Sequence, residues 1–222
     1  MQIDTQPMML SIKNHTAAVI SLLFTLALPG CVNLSSPPGA TSFTAQQQSK
    51  RAQDLTAIKQ WSIQGAFSIT SPSDQEIANY TWELKDQKHF TIMISSTLNL
   101  YQLNITQSGT VVTLVKDQKQ PLIADNIETL MQKTLGYALP VDNLYYWIRG
   151  LAAPGQHQAV YNDYGLLTQL QQNGWSITFL NYKHHQQVDL PQLIRLQGHD
   201  LKVKLVIKHW NTSPSTSNKK TP

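Results

Sequence analysis

The chain has 222 residues, with 17 basic and 13 acidic side chains, a net charge of +4 and a single cysteine. This length is enough for one domain with a substantial hydrophobic core, and a lone cysteine excludes a disulfide within the chain. The excess of positive charge is mild and no nucleic-acid-binding motif is present, so we expect no nucleic acid partner.

Residues 1 to 30 have the composition of an export signal. The segment Thr16 to Leu28 is nearly all apolar and follows the basic residue Lys13. It has the length of the apolar part of a signal peptide and is too short for a stable membrane-spanning helix. We therefore assign residues 1 to 30 to a signal peptide, whose true start is one of three methionines: Met1, Met8 or Met9.

The end of this segment, Leu28 to Cys31, resembles the lipobox of bacterial lipoproteins, and Pro29 is its one departure from the commonest pattern. The resemblance implies cleavage before Cys31, a diacylglycerol on its sulfur, an N-acyl chain on its freed amine and no other cofactor. A lone cysteine is more often a buried small residue or a free thiol. Its position between an apolar segment and a polar linker favours the lipid anchor here.

Two segments lack the apolar residues that a folded element needs. Residues 31 to 44 are rich in Ser, Pro, Gly and Thr, so we predict a flexible tether that carries the lipidated Cys31. Residues 211 to 222 have a similar composition, which predicts a disordered tail. The folded domain is therefore predicted to extend from residue 45 to residue 210.

The domain is predicted to begin with a helix and continue with strands. Residues 45 to 60 carry apolar side chains at helical spacing, which indicates one amphipathic helix. The apolar period then changes to two, which places Ile63, Gly65, Phe67 and Ile69 on one face of a strand. Further strands, bounded by polar or glycine-containing turns, are predicted over residues 80 to 84, 90 to 95, 100 to 106 and 110 to 116. Such a succession of strands implies an antiparallel meander.

Two short helices are predicted to interrupt the strands. Asp125 and Glu128 form a capping-box signature before the first helix, and Gly136 is well placed to end it. The second helix has Pro140 near its first turn and stops at Gly150.

After these helices the sequence predicts two hairpins. One has strands over 166 to 172 and 175 to 182, joined by the favoured type I′ dipeptide Asn173-Gly174. The other has strands over 193 to 197 and 201 to 210. The chain therefore contains about nine to eleven strands and three helices.

A long curved sheet has one apolar face that must be covered, and the short helices are the available cover. We predict a mainly β, α+β fold. Its form is an incomplete antiparallel β-barrel with a lid of short α-helices that enclose an apolar cavity.

No catalytic pattern appears in the sequence. A Gly-x-Ser-x-Gly elbow, a His-Glu-x-x-His motif and a phosphate-binding glycine loop are all missing, so we predict that the protein is not an enzyme. His184 and His185 are adjacent and would point to opposite faces of a strand, which makes them a poor metal pair. We therefore predict no metal site.

A polar loop over residues 95 to 99 has Leu98 as its only large apolar side chain. An exposed loop leucine is usually unremarkable. On a tethered protein that faces lipid, we interpret Leu98 as a candidate membrane-inserting residue.

Several segments together resemble LolB, the outer-membrane lipoprotein receptors of proteobacteria. They are Trp61 to Ile69 (WSIQGAFSI), Phe90 to Ile105, Ile127 to Gly150 and Lys202 to Trp210. The most specific piece is the Leu-Pro-x-x-x-Leu-x-x-Trp-Ile-x-Gly pattern from Leu139 to Gly150. The likeness covers nearly the whole mature chain, in order and with similar spacing.

The resemblance implies a receptor that accepts acylated lipoproteins from the periplasmic carrier LolA and inserts them into the inner leaflet of the outer membrane. The expected protein is a monomer that is lipid-anchored in the outer membrane, faces the periplasm and contacts outer-membrane phospholipid. Leu98 lies at the position of a family loop leucine that is tied to release. Thr97 and Asn99 stand where a proline and a glycine are usual, which implies a less rigidly shaped loop.

Acyl chains require an apolar pocket, because burying each methylene group contributes about 0.8 kcal/mol. No nucleotide motif is present, so transfer would run downhill from carrier to receptor to bilayer. We predict that the acyl-chain cavity contains Phe67, Tyr80, Trp82, Ile92, Ile94, Leu130, Leu144, Trp147 and Ile148.

Three other functions are weighed against this one. The main alternative is a membrane-tethered structural or interaction lipoprotein with a filled barrel and no acyl-chain ligand. A lipid or sterol hydrolase is disfavoured by the missing nucleophile pattern, and a soluble LolA-type carrier by Cys31. Val32 follows the cysteine where an aspartate would often signal inner-membrane retention, which favours the outer membrane.

Overall fold

The structure, a computed structural model, describes residues 44 to 98 and 100 to 213. The predictions for the signal peptide, Cys31 with its acyl chains, the tether up to residue 43, Asn99 and the tail from residue 214 lie outside the described residues. Within the described part of the chain, no helix combines the length and the apolar character that crossing a membrane requires.

The fold is built on one antiparallel sheet of eleven strands. In chain order these are β1 (Gln60–Thr70), β2 (Gln75–Asp86), β3 (His89–Ser96), β4 (Gln102–Ser108), β5 (Val111–Lys116), β6 (Leu122–Ala124), β7 (Gln158–Tyr161), β8 (Leu167–Gln172), β9 (Trp175–His185), β10 (Val188–Gly198) and β11 (Leu201–Ser213). Their order across the sheet is β6-β5-β4-β3-β2-β1-β11-β10-β9-β8-β7. The sheet is open, because β6 and β7 are edges that do not pair with each other, so the predicted incomplete barrel is confirmed.

The central strand β1 shows the period-two burial that the sequence predicts. Ile63, Gly65, Phe67 and Ile69 are all buried, whereas Gln64 on the other face is exposed. The type I′ hairpin between β8 and β9 is also confirmed, because Asn173 and Gly174 have φ angles of 51° and 78°. Both turn residues therefore have the positive φ that this turn requires.

The last strand is longer than the strand that we predicted over residues 201 to 210. β11 continues past Trp210 to Ser213, and Thr212 is buried opposite Trp61 of β1. The Thr212 hydroxyl also lies 3.2 Å from Nε2 of His185. Residues 211 to 213, which we assigned to the tail, therefore belong to the sheet, because their backbone pairs with the start of β1.

In the described segments, three helices accompany the sheet: α1 (Ala45–Ala57), α2 (Ile127–Leu135) and α3 (Val141–Trp147). Thr44, which we placed in the tether, is the N-cap of α1, where its hydroxyl accepts from the backbone N–H of Gln47. We predicted Asp125 as the cap of α2, and this prediction is wrong. Asn126 has this role, because its side-chain oxygen accepts from the backbone N–H of Thr129 at 2.9 Å.

The helix ends follow the predicted signals. Gly136 ends α2 in the left-handed conformation, with a φ angle of 80°, as expected for a C-terminal glycine. Pro140 is the N-cap of α3, and the turn after this helix continues to Gly150. The buried side chains of α2 and α3 join those of the sheet in one hydrophobic core. The helix α1 packs separately, through Leu55, against Val188 and Leu190 of β10.

Gly65 lies at a bulge where β1 and β11 approach closely. A Cβ at this position would collide with the carbonyl oxygen of Val206 and lie 3.1 Å from the Tyr80 ring. We expect Gly65→Ala to lower the free energy of unfolding by about 1–3 kcal/mol, as overpacking does in other cores. Chemical denaturation measures this loss, with Ala66→Ser on the opposite face as the control. Equal stability of the two variants would contradict the close approach.

An apolar pocket beneath the helical cover

The candidate site is a pocket between the sheet and the helical cover, where the cover is α2, α3 and the connection between them. The sheet contributes Phe67, Ile69, Tyr80, Trp82, Ile92, Ile94, Ile105, Leu196, Val203 and Leu205. The cover contributes Met131, Leu135, Tyr137, Leu139, Val141 and Leu144. Among the residues that the structure describes, no charged side chain lines the pocket, and its volume is about 80 Å³.

Six of the nine residues that we predicted for the cavity line this pocket: Phe67, Tyr80, Trp82, Ile92, Ile94 and Leu144. The strand residues are brought together by alternation, because every second side chain of β1, β2 and β3 faces the cover. Register completes the wall, since Tyr80 lies opposite Ile94 and Trp82 lies opposite Ile92.

The other three predicted residues, Leu130, Trp147 and Ile148, do not line the pocket and are buried in the surrounding core. Trp147 is fully buried, and its indole N–H donates to Oε1 of Gln172 on β8 at 2.9 Å. A buried indole N–H needs an acceptor, and this contact places the ring away from the pocket. Apolar spacing alone did not distinguish residues that face the pocket from residues that face the core.

Much of the helical side of the pocket was not predicted from the sequence. Met131 and Leu135 are four residues apart on α2 and therefore share a face, which is the signal that identifies them. Tyr137 and Leu139 lie on the short connection between α2 and α3, where no periodicity applies. Only the structure places these two side chains over the pocket.

Tyr80 is the residue of the sheet wall with a hydroxyl group. Its O–H donates to the carbonyl oxygen of Val206 at 3.3 Å, so the group is satisfied without a ligand. Burial raises the pKa of Tyr80 above its ordinary value, because the charged phenolate would lose its hydration. The wall therefore stays uncharged at physiological pH.

Two side-chain hydrogen bonds join the cover to the ends of β2. The Tyr137 hydroxyl donates to Oε2 of Glu76 at 2.7 Å, near the start of the strand. Gln87, just beyond its end, donates through Nε2 to the Tyr146 hydroxyl of α3 at 2.9 Å. Burial, together with the bond to Glu76, raises the pKa of Tyr137. We call these two contacts the cover bonds.

Arg149 joins α3 to α1. Its side chain is fully buried, and Nη1 donates to the carbonyl oxygens of Leu55 and Ile58 at 3.1 Å each. Nε donates to the carbonyl oxygen of Tyr145, whose ring lies 4.0 Å from the guanidinium carbon. The carbonyl groups and the aromatic face thus take the place of a carboxylate, although burial still lowers the pKa of Arg149.

We expect Arg149→Met to lower the free energy of unfolding by about 2–4 kcal/mol, because the carbonyl groups of Leu55, Ile58 and Tyr145 each lose a hydrogen bond from the guanidinium group. Thermal and denaturant unfolding measure this loss. Arg195→Met is the control, since Arg195 is exposed on β10. If both variants were equally stable, the guanidinium contacts would not connect the helices as described.

Leu98 lies outside the pocket, on the loop between β3 and β4, with 77% of its surface exposed. The loop follows directly from the pocket wall, because Ile92 and Ile94 lie on the preceding strand. The structure also corrects the start of the next strand. β4 begins at Gln102, and Leu100, which we placed in that strand, is a loop residue.

Across residues 44 to 98 and 100 to 213, no group of three or more His, Cys, Asp or Glu side chains converges as a metal site would require. His184 pairs instead with Asp189, at 3.1 Å between Nδ1 and Oδ1. The pocket remains the candidate site, and its apolar wall suits an apolar group.

The chain matches the family model described as "Outer membrane lipoprotein LolB" over residues 59 to 210. An outer-membrane lipoprotein LolB of Coxiella burnetii strain RSA 493 is 44% identical over 189 residues, which cover 85% of this chain and 90% of that protein. An outer-membrane lipoprotein LolB of Francisella tularensis strain WY96-3418 is 34% identical over 203 residues, covering 89% of this chain and 95% of that protein.

A solved structure shares the fold. A LolA superfamily protein from Nitrosomonas europaea superposes with a TM-score of 0.51, covering 77% of this chain and 94% of that chain. Only 10% of the aligned residues are identical, so this comparison supports the fold alone.

Proposed function

The chain belongs to the LolB family of outer-membrane lipoproteins, and on this basis we propose that it is a lipoprotein receptor of the outer membrane. It accepts acylated lipoproteins from the carrier LolA and inserts them into the inner leaflet of the outer membrane. It acts as a monomer, anchored by acyl chains on Cys31 and facing the periplasm. No catalytic step and no cofactor beyond that anchor are part of this role.

The observation that carries the proposal is the apolar pocket beneath the cover. Its wall contains apolar and aromatic side chains from six strands together with both helices of the cover. An acyl chain is stabilised in such a pocket by about 0.8 kcal/mol for each buried methylene group. The absence of charge on the wall suits a hydrocarbon ligand and would penalise a polar one.

The size of the pocket indicates that acceptance involves movement of the cover. Its volume of about 80 Å³ is well below the roughly 300–1,000 Å³ typical of ligand pockets. The cover must therefore move away from the sheet when an acyl chain enters. The cover bonds at Glu76 and Gln87 are polar contacts between the two layers that oppose this movement.

We expect Tyr137→Phe to raise the apparent affinity for acyl chains about threefold to tenfold. The variant keeps the ring in the wall but removes one of the cover bonds, and the loss of a hydrogen bond worth about 1 kcal/mol favours the open state. Titration with a fluorescent fatty acid measures this change. Tyr164→Phe is the control, because Tyr164 is exposed and lies in the loop between β7 and β8. An unchanged affinity for Tyr137→Phe would argue against opening at this contact.

Release follows from a gain in affinity at each step. Acyl chains move from carrier to pocket to bilayer without an energy source, because the bilayer offers a larger apolar volume than the pocket. We place Leu98, on the loop that follows the strand carrying Ile94, at the bilayer surface during release.

A photo-crosslinking residue at Trp82 tests acceptance. When the protein is mixed with a carrier-bound acylated lipoprotein and illuminated, we expect a crosslink to the acylated lipoprotein. The same lipoprotein without its acyl chains should give none. Failure to capture the acylated form would favour the alternative, an interaction lipoprotein whose interior takes no acyl chain.

A further inference from the structure

The loop between β3 and β4 presents two exposed leucines rather than one. Leu98 and Leu100 each have 77% of their surface exposed, which is high for large apolar residues. Single exposed leucines are common on protein surfaces, but two on one short loop form an apolar projection. Leu100 has no role in the function proposed above.

The side chain of Ser96 shapes this loop. Its Oγ accepts from the backbone N–H groups of Leu100 and Tyr101, at 2.6 Å and 3.3 Å. The backbone N–H of Ser96 also donates to the carbonyl oxygen of Tyr101 at 3.2 Å. Ser96 itself is buried at the end of β3. One hydroxyl group therefore closes the loop. We expected a less rigid loop because Thr97 stands where a proline is usual, and the Ser96 hydrogen bonds supply a constraint that this expectation did not include.

The base of the loop is held by the next loop along the sheet edge. The side chain of Asp117 accepts from the backbone N–H of Gln102 at 2.8 Å, and the N–H of Asp117 donates to the carbonyl oxygen of Gln102 at 2.9 Å. Nζ of Lys116 lies 5.6 Å from the centre of the Tyr101 ring. Lys116 and Tyr101 thus lie at the base of the loop that carries the leucines.

This arrangement fits the surface of a phospholipid bilayer. Leucine side chains gain free energy on entering hydrocarbon, and lysine ammonium groups are attracted to lipid phosphates. We propose that Ser96 holds Leu98 and Leu100 as a two-leucine prong that inserts into phospholipid. This inference rests on the proposed function and adds Leu100 as a second inserting residue and Ser96 as a positioning residue.

Vesicle binding tests the prong without a lipoprotein ligand. The protein carries Cys31→Ala, which removes the proposed acyl anchor, and is sedimented with vesicles of phosphatidylethanolamine and phosphatidylglycerol. We expect Leu98→Glu and Leu100→Glu each to lower the partition coefficient at least about tenfold, since each removes a leucine that would be buried in the bilayer. Val111→Glu is the control, because Val111 is exposed at the opposite end of the neighbouring strands. It should bind as the parent does.

Ser96 is tested by two variants that differ in the hydroxyl group. Ser96→Ala should weaken vesicle binding by several-fold, and Ser96→Thr should restore it, because threonine keeps the acceptor for Leu100. Thermal unfolding of both variants separates this positioning effect from a loss of stability. Equal vesicle binding of Ser96→Ala and the parent would overturn the role of Ser96.

The result for Leu100 decides the inference. If Leu100→Glu bound vesicles as well as Val111→Glu does, Leu100 would not insert and the prong would be wrong. If the leucine variants bound vesicles as the parent does but no longer accepted lipoprotein from the carrier, the loop would contact a protein. That result would also overturn the proposal. Crosslinking at Trp82 is measured in the protein with its native loop, so it stays intact if the receptor function is correct and the two proposals fail separately.

Discussion

Replacing Trp147 with alanine should lower the free energy of unfolding by about 3–5 kcal/mol, the largest stability effect that we expect for a single side chain. Trp147 is fully buried between α3 and the sheet. Its indole N–H donates to Gln172, whose side chain also accepts from the N–H of Ala153 and donates to its carbonyl oxygen. The variant leaves a cavity and removes one of the two hydrogen bonds that Gln172 Oε1 accepts, and each loss is unfavourable.

Denaturant unfolding of Trp147→Ala, followed by circular dichroism, measures the loss. Trp147→Phe is the matched variant, because it keeps most of the volume and removes only the hydrogen bond. We expect it to lose about 1–2 kcal/mol. A loss below about 1 kcal/mol for Trp147→Ala would contradict its place in the core.

Ile94→Glu should lower the affinity for acyl chains more than about tenfold, the largest functional effect that we expect within the pocket. Ile94 is 8% exposed and lies in the pocket wall opposite Tyr80. A carboxyl group at this point is polar even when protonated, and an acyl chain cannot satisfy its hydrogen bonds. Titration with a fluorescent fatty acid measures the affinity.

The adjacent residue provides a matched control. Met93 lies on the same strand, points to the opposite face and is 36% exposed, so Met93→Glu should bind acyl chains normally. Ile94→Ala keeps the wall apolar and should also bind, despite a stability loss of about 2 kcal/mol or more. If Met93→Glu and Ile94→Glu had the same effect, the pocket would not be the binding site.

The sheet was predictable from sequence where one face is buried and the other is exposed. The alternation in β1 and the Asn173-Gly174 turn each report a local rule that the fold obeys. The predicted cap of α2 was wrong. Asp125 and Asn126 both have good capping side chains, and the position of the first hydrogen-bonded turn decides between them. Local preference does not resolve a shift of one residue.

The site was harder to predict than the fold. Trp147 and Ile148 have the spacing and apolarity of pocket residues, but the acceptor Gln172 lies 25 residues away in the chain and holds Trp147 in the core. Leu100 was missed for a different reason. Alternating apolar residues after it resemble a strand, and only the hydrogen bond to Ser96 places it in the loop. Both outcomes depend on contacts between distant or irregular segments, which sequence periods do not report.

In the proposed function, this protein carries acylated lipoproteins from their carrier to a bilayer. The most direct measurement follows a labelled acylated lipoprotein from the carrier to liposomes, with and without this protein. We predict transfer that requires the protein, and a Leu98→Glu variant that accepts the lipoprotein but does not release it into lipid. Transfer at the same rate with and without the protein would contradict the receptor function and favour an interaction lipoprotein without an acyl-chain ligand.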